Sequence, residues 1–349
     1  MKKIVLLLLA LTLISCNSRN GGDRRSNSLS GAGATFPLPF YDVSFKTFTD
    51  STGIQVTYGG IGSGGGIRSL RDQIVDFGAT DAFLSEKDLA KMPAPVVHIP
   101  TCMGAIVMGY NLPEVTDLRL TGEIIADIYM GKITKWNDKQ IQDINPGKPL
   151  PDMSIYPVYR SDGSGTTYVF TDYLSKVSAE FETVVGRGKS LKWPAGIAAK
   201  GNPAIAGLIS QTKGTIGYIG SEYAFAVKIP YASLRNSCGN FIMPTTQSIS
   251  AAAAGQIPDD TRTMITDSSN PGAYPISCFT WILIYKEQKY NNRSIAQAKA
   301  TVELMNWMIS PESQRLTTEV NYSPLPEPTL QKAEKILRSV TYNGTPVLK

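Results

Sequence analysis

Four short stretches of this chain hold residues suited to gripping an oxyanion. In the fullest, Tyr159-Arg160-Ser161-Asp162-Gly163-Ser164-Gly165-Thr166-Thr167 follows an apolar segment, SIYPV, and precedes TYVFTDYLSKV, whose apolar residues recur at helical spacing. A strand handing over to a helix offers unpaired backbone N–H groups and a partial positive charge. Arg160 adds a planar fork of donors, and Asp162 stands where it can brace that guanidinium. Ser164, Gly165 and Thr166 add hydroxyls and amides at the helix start.

The other three stretches are plainer. Gly31-Ala32-Gly33-Ala34-Thr35-Phe36-Pro37 places small residues before a helix, where Thr35 has both a hydroxyl and a backbone N–H to give. By itself this is also an ordinary helix entry. Gly60-Ile61-Gly62-Ser63-Gly64-Gly65 sets Ser63 in a glycine cradle that lets backbone approach a small anion closely. It is formally GxGxxG, with Asp81 about twenty residues on, the spacing of the ribose-binding acid in a dinucleotide fold. Asp81, however, follows Gly78-Ala79-Thr80 in a turn-like segment, where an aspartate is most simply a turn or cap residue. An acid among anion-binding turns repels its ligand unless that ligand carries a proton for the carboxylate to accept. Phosphate at neutral pH does; sulfate does not.

Several enzyme classes fall away. No lysine completes a GxxxxGK[ST] phosphate loop, and neither Ser63 nor Ser164 sits in G-x-S-x-G. The single histidine, His98, lies in the alternating strand APVVHIP and cannot furnish a His-rich metal centre. No metal site and no cofactor is expected. Apart from Cys16 the cysteines are Cys102, Cys238 and Cys278, an odd number without a CxxC pair, which leaves room for one disulfide of unspecified pairing.

The elements that must position these residues alternate apolar, β-rich runs with helical patterns, which implies α/β layers. Strands are expected at 54–58, around 76–79, at 96–99 and 105–110, near 154–159 and 215–219, and at 278–286. Helices are expected over 40–50, after the glycine turn, near 121–130, 137–144, 166–177 and 201–212, and over 294–309 and 329–340. The start of the chain bears on compartment. Met1-Lys2-Lys3 and the apolar run Ile4 to Ile14 form a secretory signal, and Leu13-Ile14-Ser15-Cys16 has the form of a lipobox whose cysteine is lipidated. Residues 1–15 are therefore expected to be removed and 16–28 to form a flexible tether. Loss of Lys2 and Lys3 takes the 34 basic residues to 32 against 29 acidic, with no basic run, so nucleic acid is not an expected partner.

Taken in order, GAGATFPLPFY, GGIGSGGG, DFGATDAFLS, YRSDGSGTTYVFTDYLSKV, LKWPAGIAAKGN and GTIGYI make the chain resemble the bacterial phosphate-binding proteins of high-affinity phosphate ABC transporters. The resemblance runs through most of the mature chain. It implies a two-lobed periplasmic-binding-protein fold (type II-like), with residues 29–109 and 281–349 in one lobe and 110–280 in the other. It also implies that Thr35, the backbone N–H of Phe36, Ser63, Asp81, Arg160, Ser164, Gly165 and Thr166 hold phosphate, with Asp162 bracing the arginine. Gly64, Thr80 and Tyr159 depart from the family pattern beside these positions without removing a contact. The expected partners are inorganic phosphate, the membrane subunits of an importer with a separate ATPase, and a membrane reached through lipid on Cys16. The expected location is extracytoplasmic. A secreted phosphatase recruiting His98, and an anchored sensor or adhesion protein with the same pocket, are the rival readings.

Overall fold

The computed structural model describes residues 28–348. The expected signal segment, Cys16 and the tether as far as residue 27 lie outside the described residues. Ser28 is the first residue of a strand.

An eight-stranded sheet runs in the order Gln55–Gly60, Ser28–Gly33, Phe77–Thr80, Ser277–Tyr285, Val96–Tyr110, Thr215–Gly220, Tyr156–Arg160, Ile197–Ala199. Its centre is the long strand Val96–Tyr110, which belongs to two halves. Residues 96–105 pair antiparallel with Ser277–Tyr285, and residues 106–110 pair antiparallel with Thr215–Gly220. Where the pairing changes hands, Ile106 N–H donates to Ile276 O at 2.8 Å. The sequence suggests two strands here because Pro100 has no N–H to give a ladder. The structure has one strand, and Pro100 is accommodated opposite Trp281, beside an irregularity between Thr280 and Trp281.

Each half carries a parallel set. Ser28–Gly33 lies between Gln55–Gly60 and Phe77–Thr80, all parallel; Tyr156–Arg160 lies between Thr215–Gly220 and Ile197–Ala199, also parallel. Parallel strands need crossovers, and here helices supply them: Leu38–Thr52 and Ser63–Arg71 in the first half, Gly165–Val177 and Gly201–Gln211 in the second. The carboxyl ends of the strands and the amino ends of these helices consequently meet in one place, between the two halves. That is where open α/β sheets bind ligands.

Aromatic packing fixes each half. Tyr41, Phe45, Tyr58 and Phe77 meet with ring centroids 5.0–6.2 Å apart in the first. Phe170 stacks on Tyr218 at 4.3 Å in the second, with Tyr129 and Trp193 around them. Such pairs add about 0.5–1.5 kcal/mol each beyond simple burial. Cys102, Cys238 and Cys278 are all free thiols, and no helix among the described residues is long and apolar enough to cross a membrane. His98 is structural: its Nε2 accepts from Leu84 N–H at 3.1 Å, and burial pulls its pKa down to about 3, so the ring is neutral.

Candidate anion-binding site

The expected site residues sit on turns from both halves, and all of those among the described residues converge. Gly33 ends one strand and Thr35 and Phe36 follow it; Gly60 ends the next and Ser63 opens a helix; Asp81 follows Thr80. From the other half, Arg160 ends its strand and Ser164 caps the helix Gly165–Val177, accepting from Thr167 N–H at 3.0 Å.

Two glycines are demanded by the closeness of these turns. A Cβ on Gly165 would lie 2.5 Å from Ser63 Oγ and 2.8 Å from Asp81 Oδ2. Gly62, at φ +84°, would push a Cβ to 2.2 Å from Asp162 Oδ2. Bare backbone therefore passes bare backbone, and Gly64 N–H donates to Gly163 O across the gap at 2.8 Å.

The hydrogen bonds leave the site rich in donors. A hydroxyl has one proton and two lone pairs, so a hydroxyl whose lone pairs are engaged can only donate further. Ser63 Oγ accepts from Gly165 N–H at 3.0 Å and Asp81 N–H at 3.4 Å. Thr35 Oγ1 accepts from Asn202 N–H at 3.2 Å and from Asn202 Nδ2 at 3.1 Å. Thr166 Oγ1 accepts from Arg160 Nη1 and Asn202 Nδ2, both at 3.4 Å, and gives its proton to Asp81 Oδ2 at 3.3 Å. Phe36 is fully buried, and its backbone N–H makes no hydrogen bond among the described residues. An unpaired buried N–H is rare and costly, so it marks a place where a ligand atom is expected.

Arg160 is held chiefly by Asp162. Asp162 takes its Nε at 2.7 Å and Nη2 at 2.6 Å, and Gly201 N–H steadies the same carboxylate at 3.0 Å. Burial alone would raise the Asp162 pKa, but the hydrogen bonds and charge of Arg160 outweigh it and leave the carboxyl below the usual range. Asp81 is the opposite case. Burial pushes it up to about 7, against hydrogen bonds from Thr280 and Thr166 and the charge of Arg160. Thr280 Oγ1 donates to Asp81 Oδ1 at 3.0 Å. The site thus holds one fixed negative charge paired to its arginine and one carboxyl poised to share a proton near neutrality.

Four participants escape a reading of the sequence alone. Asn202 lies in the quoted segment LKWPAGIAAKGN, yet nothing local in that segment marks its side chain. Thr280 sits inside an apolar strand, Tyr223 donates to Thr35 O at 2.5 Å, and Tyr322 donates to Phe36 O. All four reach the site from segments remote in sequence.

Comparison with known proteins agrees with this architecture. Residues 18–312 match the family model of the PBP superfamily domain. A phosphate-binding protein PstS of Xylella fastidiosa (strain Temecula1) is 40% identical over 315 residues, covering 89% of this chain and 85% of its own. The phosphate-binding protein PstS of Pasteurella multocida is 38% identical over 315 residues, covering 89% and 90%. Among solved structures, a high-affinity periplasmic phosphate-binding protein with bound phosphate superposes with a TM-score of 0.71 at 20% identity, covering 92% of this chain and 97% of its own. A phosphate ABC transporter substrate-binding protein from Clostridium perfringens gives 0.64 at 19% identity, covering 86% and 100%. These structures share the two-lobed fold. With its strand ends, helix starts and four turns arranged as described, the chain belongs to the PstS phosphate-binding proteins of the PBP superfamily, a family of binding proteins and not of enzymes.

Proposed function

We propose that this protein binds one inorganic phosphate between its lobes and hands it to the membrane subunits of an ABC importer, whose ATPase is a separate chain. The observation that carries the reading is the donor surplus around a single carboxyl. Ser63 and Thr35 have their lone pairs engaged and keep their protons to give, Phe36 N–H has no partner among the described residues, and Arg160 keeps donors beyond those that Asp162 and Thr166 take. A bare oxyanion leaving water needs such a set, because unpaired buried charge is costly. The Ser164 hydroxyl and the Thr166 amide at a helix amino end complete it, with the Gly165 amide shared between Ser63 Oγ and the anion.

Asp81 sets the selectivity in this reading. It accepts the proton that phosphate carries and sulfate lacks; with sulfate, two acceptors would face each other. The loss of that buried hydrogen bond, with the added repulsion, costs on the order of a thousandfold in affinity. The lobes are residues 29–109 with 281–349, and 110–280. Thr35, Phe36, Ser63 and Asp81 come from the first and Arg160 to Thr166 from the second, so the anion favours closure by touching both. The chain acts outside the cytoplasm, anchored through lipid on Cys16 after removal of residues 1–15.

Calorimetric titration of the phosphate-stripped chain from residue 17, with phosphate and then sulfate at neutral pH, tests the reading. Tight one-to-one phosphate binding without sulfate heat is expected, and Asp81→Asn narrows the gap between the two anions. Equal affinity for both anions would remove the selective role from Asp81. No heat with either would remove phosphate as the ligand and return attention to phosphate-ester turnover and His98→Ala.

A further inference from the structure

The turn that carries Thr35 and Phe36 is gripped from the opposite half of the molecule by groups that have no place in the anion's own shell. Asn202 opens the helix Gly201–Gln211 after the strand Ile197–Ala199, and Tyr223 lies in the helix Ser221–Ala226 after the strand Thr215–Gly220. Both strands belong to the second half of the sheet; Thr35 follows a strand of the first. Asn202 is fully buried and places its N–H and its Nδ2 on Thr35 Oγ1 at 3.2 and 3.1 Å. Its Oδ1 accepts from Gly220 N–H at 3.3 Å, which fixes the amide so that its nitrogen faces Thr35. Tyr223 hydroxyl donates to Thr35 O at 2.5 Å. One residue of the first half therefore receives three hydrogen bonds from the second, none through the anion site's arginine.

We propose that Asn202 and Tyr223 are positioning residues that form a latch across the cleft on Thr35. Resting on the phosphate reading for its ligand, the latch has two effects. It occupies the lone pairs of Thr35 so that the hydroxyl proton is left for the anion, and it adds to the closed state bonds between the lobes that do not pass through the anion, so that part of the phosphate-free population is closed as well. The consequence is kinetic. Entry of the anion draws on the open molecules, in which these bonds are already broken, whereas release from the closed state requires breaking them. Asn202 and Tyr223 thus lengthen residence, while Asp81 decides which anion is kept. Tyr322, whose hydroxyl holds Phe36 O from the first half itself, fixes the same turn without crossing the cleft.

Stopped-flow binding of phosphate to the chain from residue 17 and to its Tyr223→Phe and Asn202→Ala variants tests this, with thermal unfolding as a check on folding. The dissociation rate is expected to rise about fivefold to tenfold in Tyr223→Phe and about tenfold or more in Asn202→Ala. The association rate and the preference for phosphate over sulfate should stay within about twofold and threefold respectively. A merely structural role would lower the melting temperature and the active fraction without this split between rates. Small-angle scattering of the phosphate-free chains supplies an arm independent of the ligand: the double variant should be more expanded than the parent. Dissociation rates within twofold of the parent in both variants, or a change confined to association, would overturn the latch. If the parent binds no phosphate, the phosphate reading fails by itself; expansion of the double variant would then still support the latch, and equal compactness would overturn it.

Discussion

Among the described residues two arginine–aspartate pairs are almost wholly enclosed, and only one of them lies at the candidate anion site. Arg160 and Asp162 have side chains 1% and 10% exposed; Arg293 and Asp76 have 5% and 8%. Asp76 is surrounded by donors: Ser30 gives it both N–H and hydroxyl, and Gln297 Nε2 joins Arg293 on the other oxygen. Arg293 in turn gives Nη2 to Thr301 Oγ1 and Gln297 O. This pair stands where Asp76 precedes the strand Phe77–Thr80, at the amino end, and ties that strand to the helix Ile295–Met308. Arg160 stands at a carboxyl end, beside a helix start, with Asp162 bracing Nε and Nη2 and only a longer hydrogen bond from Nη1 to Thr166 Oγ1 besides. The chemistry of the two pairs is alike; their position along parallel strands makes one a fastener and leaves the other a fork of donors beside the candidate anion site.

The largest expected effect breaks the comparison at its functional member. Arg160→Ala should weaken phosphate binding by on the order of a thousandfold or more, because it strips charge from the anion and leaves Asp162 uncompensated nearby. Calorimetry reads the affinity, and an effect under tenfold would end the claim that this arginine is a ligand contact. At the other pair, Arg293→Ala should cost about 3–5 kcal/mol of folding stability by orphaning Asp76, while the folded protein keeps its phosphate affinity within about threefold. Denaturant melts and titration, taken together, separate the two outcomes.

A pH experiment sharpens the contrast between the carboxyls inside the site. The pKa of Asp81 is raised to about 7, so the native state keeps a proton that the unfolded chain loses near pH 4. Its contribution is therefore complete below about pH 4 and is lost as pH rises to about 7, on the order of 4 kcal/mol as an upper bound. Asp162, lowered, acts with the opposite sign: its contribution is present above the ordinary carboxylate range and is lost as acid protonates it. Glu222, raised to about 8 chiefly by burial, adds to the trend of Asp81. Melting temperatures of the phosphate-free protein should fall between about pH 4 and 7, and Asp81→Asn should flatten part of that slope. An unchanged slope would mean that Asp81 is not the group responsible. The smallest effect tests the close approach of the two halves. Gly165→Ala, with its methyl 2.5 Å from Ser63 Oγ, should cost about tenfold in affinity with little change in the stability of the open form.

How much of this was legible beforehand follows from where the information lies. Arg160, Asp162, Ser164, Gly165 and Thr166 fall within seven residues and announce a strand-to-helix turn by type and spacing. Ser63 is marked by its glycines, which exist because backbone must pass closely. Asn202, Tyr223, Thr280 and Tyr322 carry no such mark. Each is an ordinary polar residue in an ordinary element, and its role arises from a neighbour more than fifty positions away. The continuous strand Val96–Tyr110 was hidden for a related reason. Pro100 reads locally as a break, and only the irregularity in the partner strand makes room for it.

The sequence alone determined the alternation of strand and helix, the turns rich in glycine and hydroxyls, and the arginine with its bracing aspartate. These depend on contacts between near neighbours, which composition and periodicity encode. Tertiary structure decided which lone pairs are spent and which protons remain to be given, that burial lifts Asp81 while Arg160 lowers Asp162, and that Arg293 is a fastener where Arg160 is a fork. Those properties come from desolvation and from hydrogen bonds across the cleft, and neither exists until distant segments have packed.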